Sequence, residues 1–383
     1  MTERISPIII SSIITILCVS CGLTATPSPD KKDTQTATIP EVMAILSTLT
    51  TTPTGLNIQP YDDVRFKNLI LDNSIIQTLW FNEKTIWPGQ KTLETARDIL
   101  EKGKNPGLGV RNLHAQGITG KGINVAIIDQ NLQLDHPEFK GKIVKYYDVG
   151  TNSPTEEGSM HAPAVTSLLV GEKIGTAPEA KVYFVAAPSW TADAQFYADA
   201  LNWIIDENAT LPRDKKIRVV SVSAAPSGEG SPFIKNNSDW DEAYQRAVEA
   251  GILVLDCTSN RGLTAPCTLD LENPDDVAKC IPGYPNHKSM LFPDRIYIPT
   301  SHRTTAEEYT TDNPSYQYTG VGGLSWSIPY LAGVLAMGWQ VNPELTNSQI
   351  MGSVFESAYI TKENIKIINP EAFIDLIKDN MNK

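Results

Sequence analysis

The sequence is short of cysteine, and this shortage excludes several classes of protein. It has five cysteines among 383 residues. Only Cys257, Cys267 and Cys280 lie beyond the N-terminal region, so at most one internal disulfide bond can form there and one thiol is left over. That part of the sequence also has no Cys-x-x-Cys or His-x-x-x-His pair, and such pairs are common in zinc sites. We therefore predict neither a disulfide-rich scaffold nor a metal site.

The sequence is also poor in positive charge. It has 32 lysines and arginines but 44 aspartates and glutamates, which gives a formal net charge of -12 and an isoelectric point near 5.0. A protein that binds nucleic acid needs a basic face, so nucleic acid is excluded as a partner. Hydrophobic residues make up 41% of the chain, which is normal for a globular protein with a sizeable core.

One apolar run stands out, and it lies at the N-terminus. Arg4 precedes the run Pro7–Ser20, which is short for a membrane-spanning helix and has the layout of a secretory signal. Ser20 directly before Cys21 resembles the processing site of a bacterial lipoprotein, in which Cys21 would be cut and lipidated. We predict a signal peptide over residues 1–20 and a flexible tether over 21–40, where Thr, Pro and Ser are frequent. An ordinary signal peptide and an uncleaved anchor remain alternatives.

This N-terminus predicts an exported protein, either secreted or held at a bacterial cell surface by a membrane anchor. Residues 41–104 follow with several aromatic side chains and no recognisable motif. A helix is predicted there from Lys91 to Gly103. The region is either a removable pro-segment or an extension that packs on the rest of the chain.

Residues 105–383 show strands that alternate with helices. Ile123–Ile128 is nearly all apolar, as expected of a strand buried on both faces of a parallel sheet. Amphipathic helices are predicted over 191–206 and 238–250, and another helix from Asn342 to about Tyr359. Further strands are predicted at Ile143–Tyr147, Val182–Ala187, Ile217–Ser223 and Ile252–Leu255. This alternation predicts an α/β fold with a mostly parallel central sheet flanked by helices.

The stretch Gly322–Gly338 combines a serine with a helix that has no polar face. Pro329 is tolerated in a first helical turn, so we predict a helix that starts near Ser325. A helix that is apolar all round is buried. Ser325 is then expected at the positive end of a buried helix, where negative charge is stabilised.

Four chemically useful side chains are expected on one rim of this fold. In open α/β sheets, functional groups collect at the carboxyl ends of the strands. Asp129 directly follows a predicted strand, and Asn260 follows another by a few residues. His161 and Ser325 each stand at the predicted start of an apolar helix.

These side chains supply the parts of a nucleophilic serine site. Imidazole can take the proton of a serine hydroxyl, and a buried carboxylate can hold the imidazole tautomer. A side-chain amide and a backbone N–H can stabilise the oxyanion. We therefore predict Asp129, His161 and Ser325 as catalytic residues and Asn260 as the oxyanion donor. The chain order Asp, His, Ser is of the subtilisin type, and the last histidine is His302, which excludes the α/β-hydrolase order.

The chain resembles the subtilisin-like serine proteases over about residues 105–360. The blocks that carry the resemblance are Gly120–Asp129 with Asp135–Phe139, Ser159–Val165, Gly175–Val182, Ser259-Asn260 and Gly323–Gly333. The resemblance implies a three-layer fold and a serine endopeptidase that acts through an acyl-enzyme. It also implies that an extended substrate pairs with residues near 184–188 and 221–225, so that Ser223, Ala224 and Ala225 bind substrate.

Several positions depart from the family pattern. Asp129 is followed by Gln130-Asn131, His161 by Ala-Pro-Ala, and Leu324 and Trp326 flank Ser325. No cofactor is predicted, because the segment from His161 to Pro178 leaves no room for the calcium loop that many members carry. Glu138 matches a calcium-ligand position of the family, but alone it is interpreted as a surface carboxylate.

Three functions remain open at this point. The first is an active monomeric endopeptidase with protein or peptide substrates. The second is an inactive subtilase-like pseudoprotease that binds peptides, which the altered neighbours of Asp129 and His161 favour. The third is an envelope lipoprotein that captures solutes or acts as a scaffold.

Overall fold

A computed structural model describes residues 58–65, 71–152, 159–259, 261–285, 291–307 and 314–382. The predicted signal peptide, the lipidation candidate Cys21, the predicted tether and Asn260 lie outside these described residues. Within the described ranges, no helix is both long enough and apolar enough to cross a membrane.

The described chain alternates helices and strands as the sequence predicts. The helices are α1 (Asn73–Ile76), α2 (Gln90–Lys102), α3 (Val110–Ala115), α4 (His161–Val170), α5 (Gln195–Thr210), α6 (Asn237–Glu249), α7 (Ser327–Val341), α8 (Asn347–Glu356) and α9 (Pro370–Met381). The strands are β1 (Trp80–Asn82), β2 (Asn124–Asp129), β3 (Ile143–Asp148), β4 (Lys181–Ala186), β5 (Ile217–Val222), β6 (Leu253–Asp256), β7 (Thr264–Thr268), β8 (Ile281–Pro282), β9 (Ile296–Ser301), β10 (Arg303–Glu307), β11 (Ser315–Thr319), β12 (Tyr359–Ile360) and β13 (Lys366–Ile367).

A five-stranded parallel sheet forms the centre of the molecule, with the strand order β3-β4-β2-β5-β6. Each of these strands was predicted within about two residues of its observed ends. Every residue of β2 is buried, because helices cover both faces of the sheet. The predicted α/β class with a mostly parallel, helix-flanked sheet is confirmed.

Alternate residues of β2 pack into two different cores. Val125 and Ile127 belong to the core that contains α4 and α7. Ala126 and Ile128 belong to the core on the opposite face, which contains α5 and α6. Since side chains of a strand point alternately to the two faces, this division produces the three layers of the fold.

Helix α7 is buried along almost its whole length, from Ser327 to Trp339. The absence of a polar face in the sequence therefore predicted its position correctly. A Cβ at Gly333 would overlap the side chain of Thr176, so only glycine allows this close approach. A short 3₁₀ turn, Leu324–Trp326, precedes α7, which places Ser325 just before the helix.

Two predicted helices have different bounds in the structure. The helix predicted from Asn342 to Tyr359 is wrong at both ends, because α8 spans only Asn347–Glu356. The segment before α8 is a turn, and a capping box between Thr346 and Gln349 sets the start of the helix. The helix predicted over 191–206 begins later, at Gln195, because Ala192 adopts a left-handed conformation with φ 52°.

Two smaller sheets flank the central one. The first has the order β12-β13-β9-β7-β8. It contains Cys267, which forms a disulfide bond with Cys280, whereas Cys257 is buried outside this sheet. The second sheet has the order β1-β11-β10, so a strand from the N-terminal region pairs with β11, the strand that leads towards Ser325.

Candidate active site

Asp129 and His161 meet at the carboxyl end of the central strand. Asp129 is the last residue of β2, and His161 is the first residue of α4. Imidazole Nδ1 of His161 lies 2.8 Å from Oδ1 and 3.0 Å from Oδ2 of the carboxylate. The backbone N–H of Gln130 donates to the same carboxylate at 2.9 Å. Both side chains are buried, so little water competes for these bonds.

Ser325 is held by reciprocal hydrogen bonds to Ser223, which directly follows β5. The Ser325 hydroxyl donates to the carbonyl of Ser223 at 3.3 Å. The Ser223 hydroxyl donates to the carbonyl of Ser325 at 2.8 Å. Upstream, a Cβ at Gly322 would overlap the carbonyl of Thr300. Glycine there lets the turn that carries Ser325 lie close to β9.

Trp326 connects the serine turn to the histidine. Its indole ring lies edge-to-face with the imidazole of His161, at 5.9 Å between ring centroids. It also packs with Ala164 and Leu168 on α4. Ser325 therefore lies one residue away from a side chain in contact with His161. From the sequence, Trp326 is only a departure from the family pattern, and its contact with His161 was not predicted.

The predicted oxyanion donor Asn260 is outside the described residues, but both of its neighbouring segments are firmly held. The guanidinium of Arg261 donates to Asp241 at 2.9 Å and lies over the ring of Tyr244, 4.2 Å from its centroid. Before it, the buried carboxylate of Asp256 accepts hydrogen bonds from Trp240 and Thr258. Burial raises the pKa of Asp256, and the nearby Arg261 partly offsets this. Sequence reasoning missed this network, although a carboxylate at the end of a buried strand was a signal for it.

The predicted substrate-binding residues Ser223, Ala224 and Ala225 are all buried beside Ser325. The carbonyl of Ala224 accepts from the backbone N–H of Cys257 at 2.8 Å. The carbonyl of Ala225 accepts from the hydroxyl of Ser231 at 2.7 Å. This segment is therefore tied to the body at several points.

Glu138 is not the surface carboxylate that the sequence suggested, because it is only 1% exposed. It accepts hydrogen bonds from the hydroxyl of Tyr316 at 2.9 Å and from the backbone N–H groups of Lys173 and Ile174 at 2.9 and 3.3 Å. Calcium requires several oxygen ligands, whereas both oxygens of Glu138 face hydrogen-bond donors. The residues around Glu138 therefore do not fit the calcium ion that the family implies. Over the described parts of the chain, no cluster of three or more His, Cys, Asp or Glu side chains is arranged to hold a metal.

Comparison with known proteins identifies a family that part of the chain resembles. Residues 120–282 match the model of the subtilase family. Over this segment the chain is similar to the subtilases. The matched segment contains Asp129, His161 and Asn260 and ends before Ser325.

The curated proteins that the chain resembles are distant in sequence. Subtilisin E of Bacillus subtilis (strain 168) is 23% identical over 248 residues, which cover 62% of this chain and 61% of subtilisin E. The chain thus spans about 61% of the length of this curated relative.

Two solved structures show the same fold. Fervidolysin from Fervidobacterium pennivorans, a keratinolytic enzyme related to subtilisin, has a TM-score of 0.53 and 15% identity, with 70% of this chain and 44% of fervidolysin covered. The prenylagaramide maturation protease has a TM-score of 0.51 and 17% identity, with 70% of this chain and 98% of that protease covered.

Proposed function

We propose that this protein is a serine peptidase that hydrolyses peptide bonds within polypeptides, with Asp129, His161 and Ser325 as its catalytic residues. The observation that carries the proposal is the bidentate contact of His161 Nδ1 with the Asp129 carboxylate, at 2.8 and 3.0 Å. This contact fixes the tautomer with hydrogen on Nδ1 and directs Nε2 away from the carboxylate. The Trp326–His161 contact and the subtilisin-like fold give further support.

The reaction proceeds in two half-reactions. Ser325 Oγ attacks the carbonyl carbon of the substrate while His161 Nε2 takes the hydroxyl proton, and Asp129 stabilises the imidazolium that forms. The tetrahedral intermediate breaks its C–N bond as His161 returns the proton to the leaving amine. A water molecule then attacks the acyl-enzyme, with His161 again acting as the base, and Ser325 is released with the free carboxylic acid.

The oxyanion is stabilised by the backbone N–H of Ser325 and the side-chain amide of Asn260. The role of Asn260 comes from the resemblance of Ser259-Asn260 to the family motif. The anchored loop on either side of it supports that role, because preorganised donors need a rigid support. Loss of one such donor typically lowers kcat by about 10²–10³.

We further propose that the protein is exported and acts as a monomer on protein or peptide substrates at the bacterial cell surface. The signal-like run and Cys21 support membrane anchoring, and secretion without an anchor is the alternative. The disulfide bond between Cys267 and Cys280 supports export, since structural disulfides form in oxidising compartments.

Covalent capture tests the catalytic proposal directly. The chain from residue 22 onward is incubated with a fluorophosphonate probe, and its intact mass is compared with that of Ser325→Ala. We expect one adduct on the wild type and none on Ser325→Ala. His161→Ala should also fail to react, because the serine loses its base. A folded wild type that forms no adduct would contradict the proposal.

One observation favours an inactive peptide-binding pseudoprotease as a second candidate. Ser325 has 0% exposure, so a substrate carbonyl does not reach its hydroxyl in this conformation. Under this candidate the folded protein binds peptides, the probe forms no adduct, and Ser325→Ala leaves peptide affinity unchanged.

A further inference from the structure

Trp326 links two parts of the candidate active site. Its backbone N–H donates to the carbonyl of Gly323 at 3.1 Å, which closes the short turn that carries Ser325. Trp326 is buried, with 2% exposure, and its ring stands at 87° to the imidazole of His161. One residue therefore belongs to the turn of the serine and also contacts the ring of the histidine.

The indole of Trp326 lies along one face of helix α4. Ala164 and Leu168 follow His161 by three and seven positions on this helix, so all three residues lie on the same face. Trp326 packs with both Ala164 and Leu168. A hydrogen bond to Asp129 holds one atom of the imidazole, whereas close packing restricts the tilt of the whole ring. Trp326 therefore restrains the part of the His161 ring that Asp129 does not hold.

Tyr316 of β11 packs against the apolar cluster that contains Trp326. Its hydroxyl donates to Glu138 at 2.9 Å. Its ring lies edge-to-face with the imidazole of His136, with 5.4 Å between ring centroids. Tyr316 is thus held at its polar end and at its ring, so it gives the cluster a firm support on the side of β11.

The N-terminal region makes further contacts with Tyr316. The ammonium group of Lys104 lies 3.7 Å from the centroid of the Tyr316 ring and donates to Glu101 at 2.6 Å. Lys104 is only 5% exposed, and a cation over an aromatic ring interacts more strongly when it is desolvated. The backbone N–H of Tyr316 also donates to the carboxylate of Glu83 at 3.2 Å. Both ends of the described N-terminal region after β1 therefore hold Tyr316.

We infer that Trp326 is a positioning residue for His161, and that Lys104 of the N-terminal region acts on it through Tyr316. The contacts run from Lys104 to Tyr316, from Tyr316 to the cluster of Trp326, and from Trp326 to His161. This inference rests on the proposed function and deepens it. It makes the N-terminal region one of the elements on which the rate of the reaction depends.

Substitution of Trp326 tests the positioning role. Trp326→Ala should lower kcat by about 10² with KM within about twofold of wild type, because the base tilts while the substrate-binding residues stay in place. Trp326→Phe retains an aromatic ring against His161 and should keep kcat within about fivefold of wild type. Steady-state hydrolysis of a fluorogenic peptide measures both constants. A Trp326→Ala variant with wild-type kcat, or with a change in KM alone, would overturn the inference.

Substitution of Lys104 tests the path from its distant end and leaves the cluster of Trp326 intact. Lys104→Met keeps the apolar stem and removes the charge, so kcat should fall by about three- to tenfold at unchanged KM. Lys102→Met is the matched control, because Lys102 pairs with Asp98 and Glu272. It should keep the wild-type kcat. These two variants decide even if Trp326→Ala does not fold, and a Lys104→Met variant with wild-type kcat would overturn the link to the N-terminal region.

Proton NMR reports the position of His161 without any substrate. The proton between His161 Nδ1 and Asp129 is expected at low field, and its signal is assigned by its loss in His161→Ala. Trp326→Ala should shift or broaden this signal, whereas Trp326→Phe should preserve it. An unchanged signal in a folded Trp326→Ala variant would refute the positioning role.

Fluorophosphonate labelling of the wild type separates the two possible failures. A labelled wild type whose Trp326→Ala variant keeps both kcat and the low-field signal retains the proposed function and refutes only the positioning role. A folded wild type that shows the low-field signal but is not labelled refutes the proposed function, and the NMR comparison of the Trp326 variants then still decides the positioning of His161.

Discussion

The carboxylate of Asp129 is held in place by the next residue in the chain and by a residue that is distant in sequence. It accepts from His161 and from the backbone N–H of Gln130, and it is 2% exposed. Under the proposed mechanism its charge is needed to hold the tautomer of His161 and to stabilise the imidazolium. An amide of the same shape could do neither.

Asp129→Asn should therefore lower kcat by about 10⁴ while KM changes little. The measurement is peptidase activity with a fluorogenic peptide, or the rate of fluorophosphonate labelling. Asp135→Asn is the matched control, since Asp135 is exposed near the same loop and its variant should keep wild-type activity. Equal activity of Asp129→Asn and wild type would show that Asp129 does not assist His161.

Single residues also show where sequence reasoning succeeds and where it stops. Asp129 and His161 were predicted to meet because one ends a buried strand and the other begins a buried helix. The burial of Glu138 was not predictable in this way. Its partner Tyr316 lies 178 positions away in the sequence, so no local sequence pattern indicates the contact.

At the scale of elements, Glu138 joins three separate parts of the fold. It follows β2, its donors Lys173 and Ile174 follow α4, and its donor Tyr316 lies on β11. Hydrogen-bond donors thus occupy the surroundings of the carboxylate that matches a family calcium ligand. We propose that these bonds replace a calcium ion at this position.

Glu138→Ala should lower the free energy of unfolding by about 2–5 kcal/mol, because it leaves buried donors without an acceptor. The melting temperature of the wild type should be the same in EDTA and in calcium. Thermal unfolding measures both effects, and Asp135→Ala is the control for a carboxylate in the same turn. A melting temperature that rises with calcium would contradict this replacement.

A second buried carboxylate joins the N-terminal region to the β10–β11 hairpin. Glu307 Oε2 accepts from the Asn82 amide at 2.9 Å and from the Ser315 hydroxyl at 2.7 Å. Burial raises the pKa of Glu307 to about 7, although these two bonds and the charge of Lys84 act to lower it. The carboxyl group is therefore protonated in the folded protein at mildly acidic pH.

The raised pKa predicts a loss of stability as pH rises. Below pH 4.5, the ordinary value, the group is protonated in both the folded and the unfolded chain. Between pH 4.5 and about 7, only the folded chain keeps the proton, so the free energy of unfolding falls with pH. The total loss is about 3 kcal/mol, because the pKa rises from 4.5 to about 7 on folding and each pH unit between these values contributes about 1.4 kcal/mol.

Glu307→Gln should remove the part of the pH dependence of the free energy of unfolding that comes from Glu307. The difference in unfolding free energy between wild type and variant, measured by urea denaturation from pH 4 to 9, should change by about 3 kcal/mol, with the variant relatively more stable at high pH. Glu363→Gln, at an exposed position, is the control. A difference that stays constant with pH would show that Glu307 does not titrate in this range.

At the scale of the whole molecule, the sequence predicted the layers of helices and sheet. It did not predict which distant segments of the chain pair with one another. The central sheet followed from apolar runs such as Ile123–Ile128, because burial on both faces leaves a local pattern. The pairing of β1 with β11 leaves no such pattern, since these strands are far apart in sequence and only three residues of β1 take part. For the same reason, the sequence could not decide whether residues 41–104 are a pro-segment or a packing extension.

The described part of that region makes contacts typical of a permanent element. The backbone N–H of Gly320 donates to the carbonyl of Leu79 at 2.9 Å, and the Tyr318 hydroxyl donates to the carbonyl of Gln77 at 2.9 Å. Phe81 packs on Tyr318, with 5.1 Å between ring centroids, and on Trp87, with 5.2 Å. This strand and its aromatic cluster support β11, which leads to the turn that carries Ser325.

We propose that residues 58–104 remain in the mature protein, because their removal would expose this apolar cluster and take away β1, one of the two strands that pair with β11. A chain that begins at residue 58 should fold, melt near the temperature of the longer protein, and react with the fluorophosphonate probe. A chain that begins at residue 105 should fail to fold, as seen by circular dichroism. Intact mass and N-terminal sequencing of the probe-labelled secreted protein provide the independent check. A labelled species that starts at or after residue 105 would show instead that the region is a pro-segment removed during maturation.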